Sequence, residues 1–270
     1  MDCCVFVHFG QKDRLSRPDF HFVLELSQHF SRLILVTNER EFHLDGFPPH
    51  VELMLVKNEG YDFGMFYKVF QNLNWQELER LALVNDSNLL LGDINESLRK
   101  GKNLEADFWG LIDSKEKPWF STHADNYHLQ SHFLVWEKSG IHILADYFKQ
   151  VKLEEIFAEN DPKTLRRKVI NAWEIGLSQY FLSRNSKPKA LFSSEKITGQ
   201  LRKKPKVNLT MKYPEVLLEK GYPLLKKKYI QKNSRLARFF QPGKKWETLL
   251  QKYLRPNTEV EEWISELKRV

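Results

Sequence analysis

Val51-Glu52-Leu53-Met54-Leu55-Val56-Lys57-Asn58-Glu59-Gly60-Tyr61-Asp62-Phe63-Gly64-Met65-Phe66 is an apolar run that stops at polar and glycine residues before a helical pattern resumes. It reads as a strand, a loop and a helix start. Val51, Leu53, Leu55 and Val56 suit a mostly buried strand of a parallel sheet, and Gly60 and Gly64 suit turn conformations and close backbone approach. Ligands of open α/β sheets bind at such strand ends. Glu59 and Asp62 are carboxylates beside that backbone, where acceptors for sugar hydroxyls or base N–H groups are useful. An Asp near a helix N-terminus is also what capping alone would place there.

The flanking sequence repeats the theme. Cys4-Val5-Phe6-Val7-His8-Phe9 predicts a first strand, and Phe22, Val23, Leu26 and Phe30 have helical spacing. Leu33-Ile34-Leu35-Val36-Thr37-Asn38 predicts a second strand ending in polar residues, with Asn38 facing a ligand or a turn. This βαβ opening predicts a parallel sheet. Met65 to Leu73 predicts a helix, and Leu81-Ala82-Leu83-Val84 a further strand ending at Asn85-Asp86-Ser87. No GxGxxG or Walker-type loop occurs, which disfavours dinucleotide enzymes and P-loop NTPases. Asp107 to Leu111 and Phe133 to Trp136 read as strands, Ile141 to Tyr180 as helical, and residues 186–270 as a basic, mainly helical extension of a 1–185 domain.

Asn58-Glu59-Gly60-Tyr61-Asp62-Phe63-Gly64 resembles the signature of the rhamnan synthesis F family of bacterial glycosyltransferases. Asn85-Asp86-Ser87, Asp107-Phe108-Trp109-Gly110 and His128-Leu129-Gln130-Ser131 follow in the family's order, with weaker echoes at Glu174-Ile175-Gly176-Leu177-Ser178 and Gly221 to Lys226. The resemblance implies a GT-A-like, Rossmann-like α/β fold with a mostly parallel sheet flanked by helices. It implies that Asn38, Asn58, Asp62, Asn85, Asp86 and Ser87 line a nucleotide-sugar donor, and that Trp109, Gln130 and Ser131 line the acceptor. Asp107, His128 and Glu174 are three alternatives for the base, among which the sequence does not choose.

At this strand end a GT-A glycosyltransferase usually carries Asp-x-Asp, which holds Mg²⁺ or Mn²⁺ against the donor diphosphate. Here Asp86 alone is acidic, so a divalent cation is implied at Asp86 but strong metal dependence is not. Rhamnose is the sugar the family name suggests. The implied partners are a nucleotide-sugar, a glycan or lipid-linked glycan acceptor of cell-surface polysaccharide or lipopolysaccharide synthesis, and an anionic membrane face.

Composition fits an ordinary globular protein: 270 residues, 41% hydrophobic and 29% charged, with a mean hydropathy of −0.52. No apolar run approaches a transmembrane span, and the start lacks the features of a signal peptide, which predicts a cytoplasmic protein. The two cysteines are adjacent, Cys3 and Cys4, which excludes a disulfide framework and favours burial in the first strand over redox chemistry. His123, Asp125 and His128 lie close in sequence but lack the helical spacing of a hydrolytic metal site. Net charge is uneven. Residues 186–270 carry 21 Lys and Arg against 8 acidic residues, whereas residues 1–185 carry 21 against 27. With Tyr213, Tyr222, Tyr229, Phe239, Phe240 and Trp246 interleaved, that basic third also suits nucleic-acid binding, though no nucleic-acid module accompanies it. A noncatalytic scaffold is the remaining alternative, because the second carboxylate at residues 85–87 is missing.

Overall fold

The computed structural model describes residues 1–10, 13–39, 41–203, 207–231, 245–254 and 259–267. A sheet of eight strands forms the centre: β1 (Asp2–Val7), β2 (Arg32–Thr37), β3 (Val51–Leu55), β4 (Arg80–Asn85), β6 (Phe108–Ser114), β7 (His128–Leu129), β8 (Phe133–Glu137) and β9 (Lys189–Phe192). Its order is β3-β2-β1-β4-β8-β6-β7, with β9 on the other side of β6 from β8. Strands β1 to β4 pair in parallel, β8 runs antiparallel to both β4 and β6, and β9 is parallel to β6. Six of the eight strands therefore point the same way, and their carboxyl ends share one edge with the amino end of β8. The mostly parallel α/β sheet expected from the sequence is present.

Period-2 alternation builds two apolar layers from the same strands. Cys3, Val5 and Val7 face one layer with Ile34, Val36, Leu81, Leu83 and Trp136. Against it pack the helices α2 (Tyr61–Gln71), α4 (Lys138–Gln150) and α7 (Leu177–Ser183). Cys4 and Phe6 face the other layer with Leu33, Leu35, Ala82 and Val84, covered by α1 (Arg17–Ser27) and α3 (Ile94–Lys102). Both cysteines are buried free thiols, and burial raises their pKa. The thiolate is thereby suppressed on both.

The described residues of the C-terminal part are mainly helical, as the sequence predicts, with two strands added: β9 extends the main sheet, and β10 (Leu224–Lys226) lies between short helices. Strand β10 pairs antiparallel with β5 (Asn88–Leu90), directly after the Asn85-Asp86-Ser87 turn. A third apolar cluster joins Leu89, Leu91 and Leu225 to the helices Lys245–Tyr253 and Val260–Leu267. No described helix is long and apolar enough to cross a membrane.

Candidate functional site

The carboxyl edge of the sheet carries two cavities separated by the turn Asn85-Asp86-Ser87. The first, about 240 Å³, is lined by Asp62, Asn85, Ser87, Ser131, His132, Trp173, Glu174 and Lys226, with Tyr61 and Arg166 at its margin. The second, about 370 Å³, is lined by His8, Phe9, Arg14, Asp19, Asp86 and Lys227, with apolar surface from Pro18, Ile230 and Leu267.

The signature loop organises the first cavity. Gly60 and Tyr61 both take positive φ, 76° and 58°, which turns the chain from β3 into α2. Only glycine adopts that region without cost, so the second left-handed residue is a locally strained one. The turn aims Asp62 across the site. Its Oδ2 accepts from Asn85 Nδ2 at 2.7 Å, and its Oδ1 accepts from Phe63 N at 3.1 Å. The same carboxylate thus takes up one N–H of the helix's first turn and ties the turn Asn85-Asp86-Ser87 to it. Asn85 Oδ1 in turn accepts from the Ser87 hydroxyl at 2.5 Å, so the turn is tied to the loop after β3. Burial raises the Asp62 pKa, the Asn85 bond opposes that, and the nearby Glu174 charge adds to it.

Glu174 reaches the cavity from a π-helical stretch, Ile170–Gly176, between α6 (Pro162–Val169) and α7. Wide π turns recur at functional sites because they re-aim one side chain within a continuous helix. Trp173 is buried and stacks on Phe63 with ring centroids 4.4 Å apart, while Glu174 beside it accepts from the Ser131 hydroxyl at 2.6 Å. His132 lies next to Ser131. Its Nε2 meets the Tyr222 hydroxyl at 2.5 Å, its Nδ1 is buried without a partner, and burial drives its pKa well down. It is therefore a neutral imidazole near pH 7. Lys226 enters from β10, and burial lowers its pKa while Glu174 opposes the shift.

In the second cavity Lys227 Nζ stands 2.7 Å from both carboxylate oxygens of the buried Asp19. Asp86 Oδ2 accepts from Phe9 N at 2.9 Å and lies 3.9 Å from His8 Nε2. Burial pushes the Asp86 pKa up to about 7 and lowers that of His8. The close approach of these two groups is accordingly not a full ion pair at neutral pH. Because folded Asp86 keeps a proton that the unfolded chain releases, stability falls as pH rises from about 4 to about 7 and stays low above that. Asp86→Asn, which retains the acceptor for Phe9 N, is expected to raise Tm at pH 8 by roughly 4–8 °C, corresponding to about 2 kcal/mol. The gain should vanish near pH 4 in a pH series of thermal melts. A gain that is independent of pH would contradict the linkage.

Of the residues singled out from sequence, Asp62, Asn85, Ser87, Ser131 and Glu174 meet in the first cavity, and Asp86 lines the second. Asn38 and Asn58 follow β2 and β3 at the same edge but line neither cavity, and Asn38 Oδ1 is buried without a partner. Four expectations need correction. Asp107 precedes β6 and so sits at the opposite edge, where its carboxylate accepts from the hydroxyls of Ser139 and, at 2.8 Å, Ser186. Trp109 is 1% exposed, packed over Gly101 of α3, so it offers no face to a sugar. The period-2 alternation buries Phe108 in one layer and Trp109 in the other. His128 is buried on β7 with Nδ1 against the Asn126 carbonyl at 2.8 Å. Gln130 is buried with Oε1 accepting from the Thr210 hydroxyl at 3.3 Å.

Sequence reasoning missed His132, Lys226 and Lys227. His132 adjoins the quoted His-Leu-Gln-Ser stretch, Lys226 closes the weaker echo Gly221 to Lys226 without being given a role there, and Lys227 was visible only as part of a charge run. Among the aromatics of the basic third, Tyr222 and Trp246 are buried and Tyr213 and Tyr229 half-buried, while Phe239 and Phe240 lie outside the described residues.

A Rossmann-like α/β sheet with a two-chambered cleft at the carboxyl ends of its strands defines an α/β protein of the open-sheet kind. The family model for rhamnan synthesis protein F matches residues 39–252, and the chain belongs to that family. It is thereby placed in rhamnan synthesis. No curated protein matches the sequence. Among solved structures, a putative glucose-1-phosphate thymidylyltransferase from Bacillus anthracis, in complex with a sucrose, is similar at 11% identity and a TM-score of 0.46. The similarity covers 72% of this chain and 87% of that one.

Proposed function

We propose that the protein is a glycosyltransferase that moves a sugar from a nucleotide-sugar to a growing cell-surface polysaccharide or lipopolysaccharide, with rhamnose the sugar its family suggests. The observation that carries this reading is the turn Asn85-Asp86-Ser87, which contributes Asp86 to one cavity and Asn85 and Ser87 to the other. A diphosphate lying over that turn places the nucleoside among Phe9, Pro18 and Ile230 in the second cavity. The sugar then lies among Asp62, Ser131 and Glu174 in the first.

Transfer requires the bond from the anomeric carbon to the β-phosphate oxygen to break, its electron pair leaving with the nucleoside diphosphate, while the acceptor oxygen bonds to that carbon. The acceptor hydroxyl proton must go to a base. Glu174 supplies it: Oε1 is fixed by Ser131 and leaves Oε2 for the acceptor. Both oxygens of Asp62 already accept hydrogen bonds, which suits it to positioning Asn85 and the sugar. Arg166 at the cavity margin and the basic C-terminal third suit an acceptor carried on an anionic membrane face.

Thermal-shift titration with dTDP-, UDP- and GDP-sugars tests the reading. A ligand at a hundred times its Kd adds about 2.7 kcal/mol by mass action, a rise of roughly 5–10 °C for a chain of this size. Stabilisation by at least one of these donors is expected. No shift with any of them would remove the donor site and leave the scaffold reading.

A further inference from the structure

We propose that Lys226 and Lys227 carry the charge of the donor diphosphate, so that donor binding needs no divalent cation. This rests on the nucleotide-sugar reading above. The two lysines are adjacent, and the β10–β5 ribbon fixes their backbone against the central turn: Lys226 pairs with Asn88, and Lys227 N donates to the Ser87 carbonyl at 3.0 Å. Strand β10 ends at Lys226, and a helical turn begins at Lys227. Lys226 lines the first cavity and Lys227 the second, one ammonium on each side of Asn85-Asp86-Ser87. A diphosphate spanning the turn meets a cation at either end, and charge-assisted bonds from ammonium to phosphate are among the strong ones available.

The residues at the turn do not fit a Mg²⁺ or Mn²⁺ site. Such ions take several oxygen ligands in demanding geometry. Asp86 is the one carboxylate of the turn, and its Oδ2 already accepts from Phe9 N. Asp62, across the turn, has both oxygens engaged by Asn85 and Phe63. Among the described residues no group of three His, Cys, Asp or Glu side chains gathers to hold a metal. The unpaired positive charge beside the turn is that of Lys226, and Lys227 presents its ammonium to the second cavity as part of the pair with Asp19. Lys226 makes no ion pair among the described residues, so its ammonium is available to an anion. Lys227 is held in place by Asp19, with both partners largely buried.

Isothermal titration with dTDP, UDP and GDP, in excess EDTA and in Mg²⁺ or Mn²⁺, tests this directly. Wild-type affinity for the preferred nucleoside diphosphate is expected to agree within about twofold between the conditions. Lys226→Met, which keeps the aliphatic stem, should weaken that affinity about tenfold or more and leave binding of the bare nucleoside unchanged. Lys227→Met would strand buried Asp19, so Lys227 is tested as Lys227→Met with Asp19→Asn, with the same split expected between diphosphate and nucleoside. Binding that EDTA abolishes and Mg²⁺ or Mn²⁺ restores would overturn the inference while leaving the donor site intact. Wild-type affinity in both variants would overturn it as well. Absence of nucleoside diphosphate binding in every condition would overturn the nucleotide-sugar reading and this inference together.

Discussion

Glu174→Gln is expected to lower kcat for sugar transfer by roughly 10²–10⁴-fold, the usual contribution of a general base, while donor binding and Tm stay near wild type. Glutamine keeps the acceptor for the Ser131 hydroxyl, so the side chain stays where the π-helical stretch places it. What it loses is the ability to take a proton. The competing base in the same cavity is Asp62, and the two separate by experiment. Asp62→Asn loosens the tie to Asn85 and should weaken donor affinity as well as turnover. Glu174→Gln should act on turnover alone. Single-turnover measurements at saturating donor distinguish them, and undiminished transfer by Glu174→Gln would remove it from the chemistry. Asp107→Asn serves as the control: its carboxylate lies at the far edge of the sheet with Ser139 and Ser186, so its effects should be on stability and not on transfer.

Why Asp107 looked catalytic bears on what a sequence reveals. The strands were legible because each is an apolar run bounded by polar residues, and the donor-side turn because Asn85-Asp86-Ser87 ends such a run. Strand direction is not written in any single run. Asp107 and Asn85 both flank strands that point the same way, but one precedes its strand and the other ends it, so they lie on opposite edges. Trp109 shows the same limit at the level of one residue, since period 2 says that Phe108 and Trp109 face opposite sides without saying that both sides are covered. The β5–β10 ribbon was hidden for a third reason. Three-residue strands carry too little alternation to register, and Lys226-Lys227-Lys228 in isolation reads as a solvated helix surface. Only the pairing of residues more than a hundred positions apart shows that the run begins inside the cleft. Glu174 was legible as a candidate, but its π-helical setting was not, because a single widened turn leaves the helical pattern of Trp173 and Leu177 almost unchanged.

Gly64→Ala is expected to be the most damaging small substitution in the signature. A Cβ at residue 64 would lie 1.6 Å from the Glu59 carbonyl oxygen and 2.7 Å from its carbon. That neighbour is backbone, which no rotamer change can clear. The loop from Lys57 to Tyr61 would have to move, yet it is held by Gly64 N donating to the Gly60 carbonyl at 3.1 Å and by Lys68 Nζ donating to the Lys57 carbonyl at 2.8 Å. Overpacking of this kind costs upwards of about 3 kcal/mol, which lowers Tm by roughly 6–12 °C in a chain of this length. The same displacement re-aims Asp62, so donor binding should fall even at temperatures where the variant remains folded. Gly199→Ala provides the contrast, since nothing lies within 4 Å of its added Cβ and the residue sits in the helix Ser194–Gln200. There the change should be neutral or stabilising by up to about 1 kcal/mol. Calorimetric melts of the two variants side by side check both statements, and a Gly64→Ala protein that melts with wild type would mean that the close approach of residue 59 is not what requires glycine in the signature.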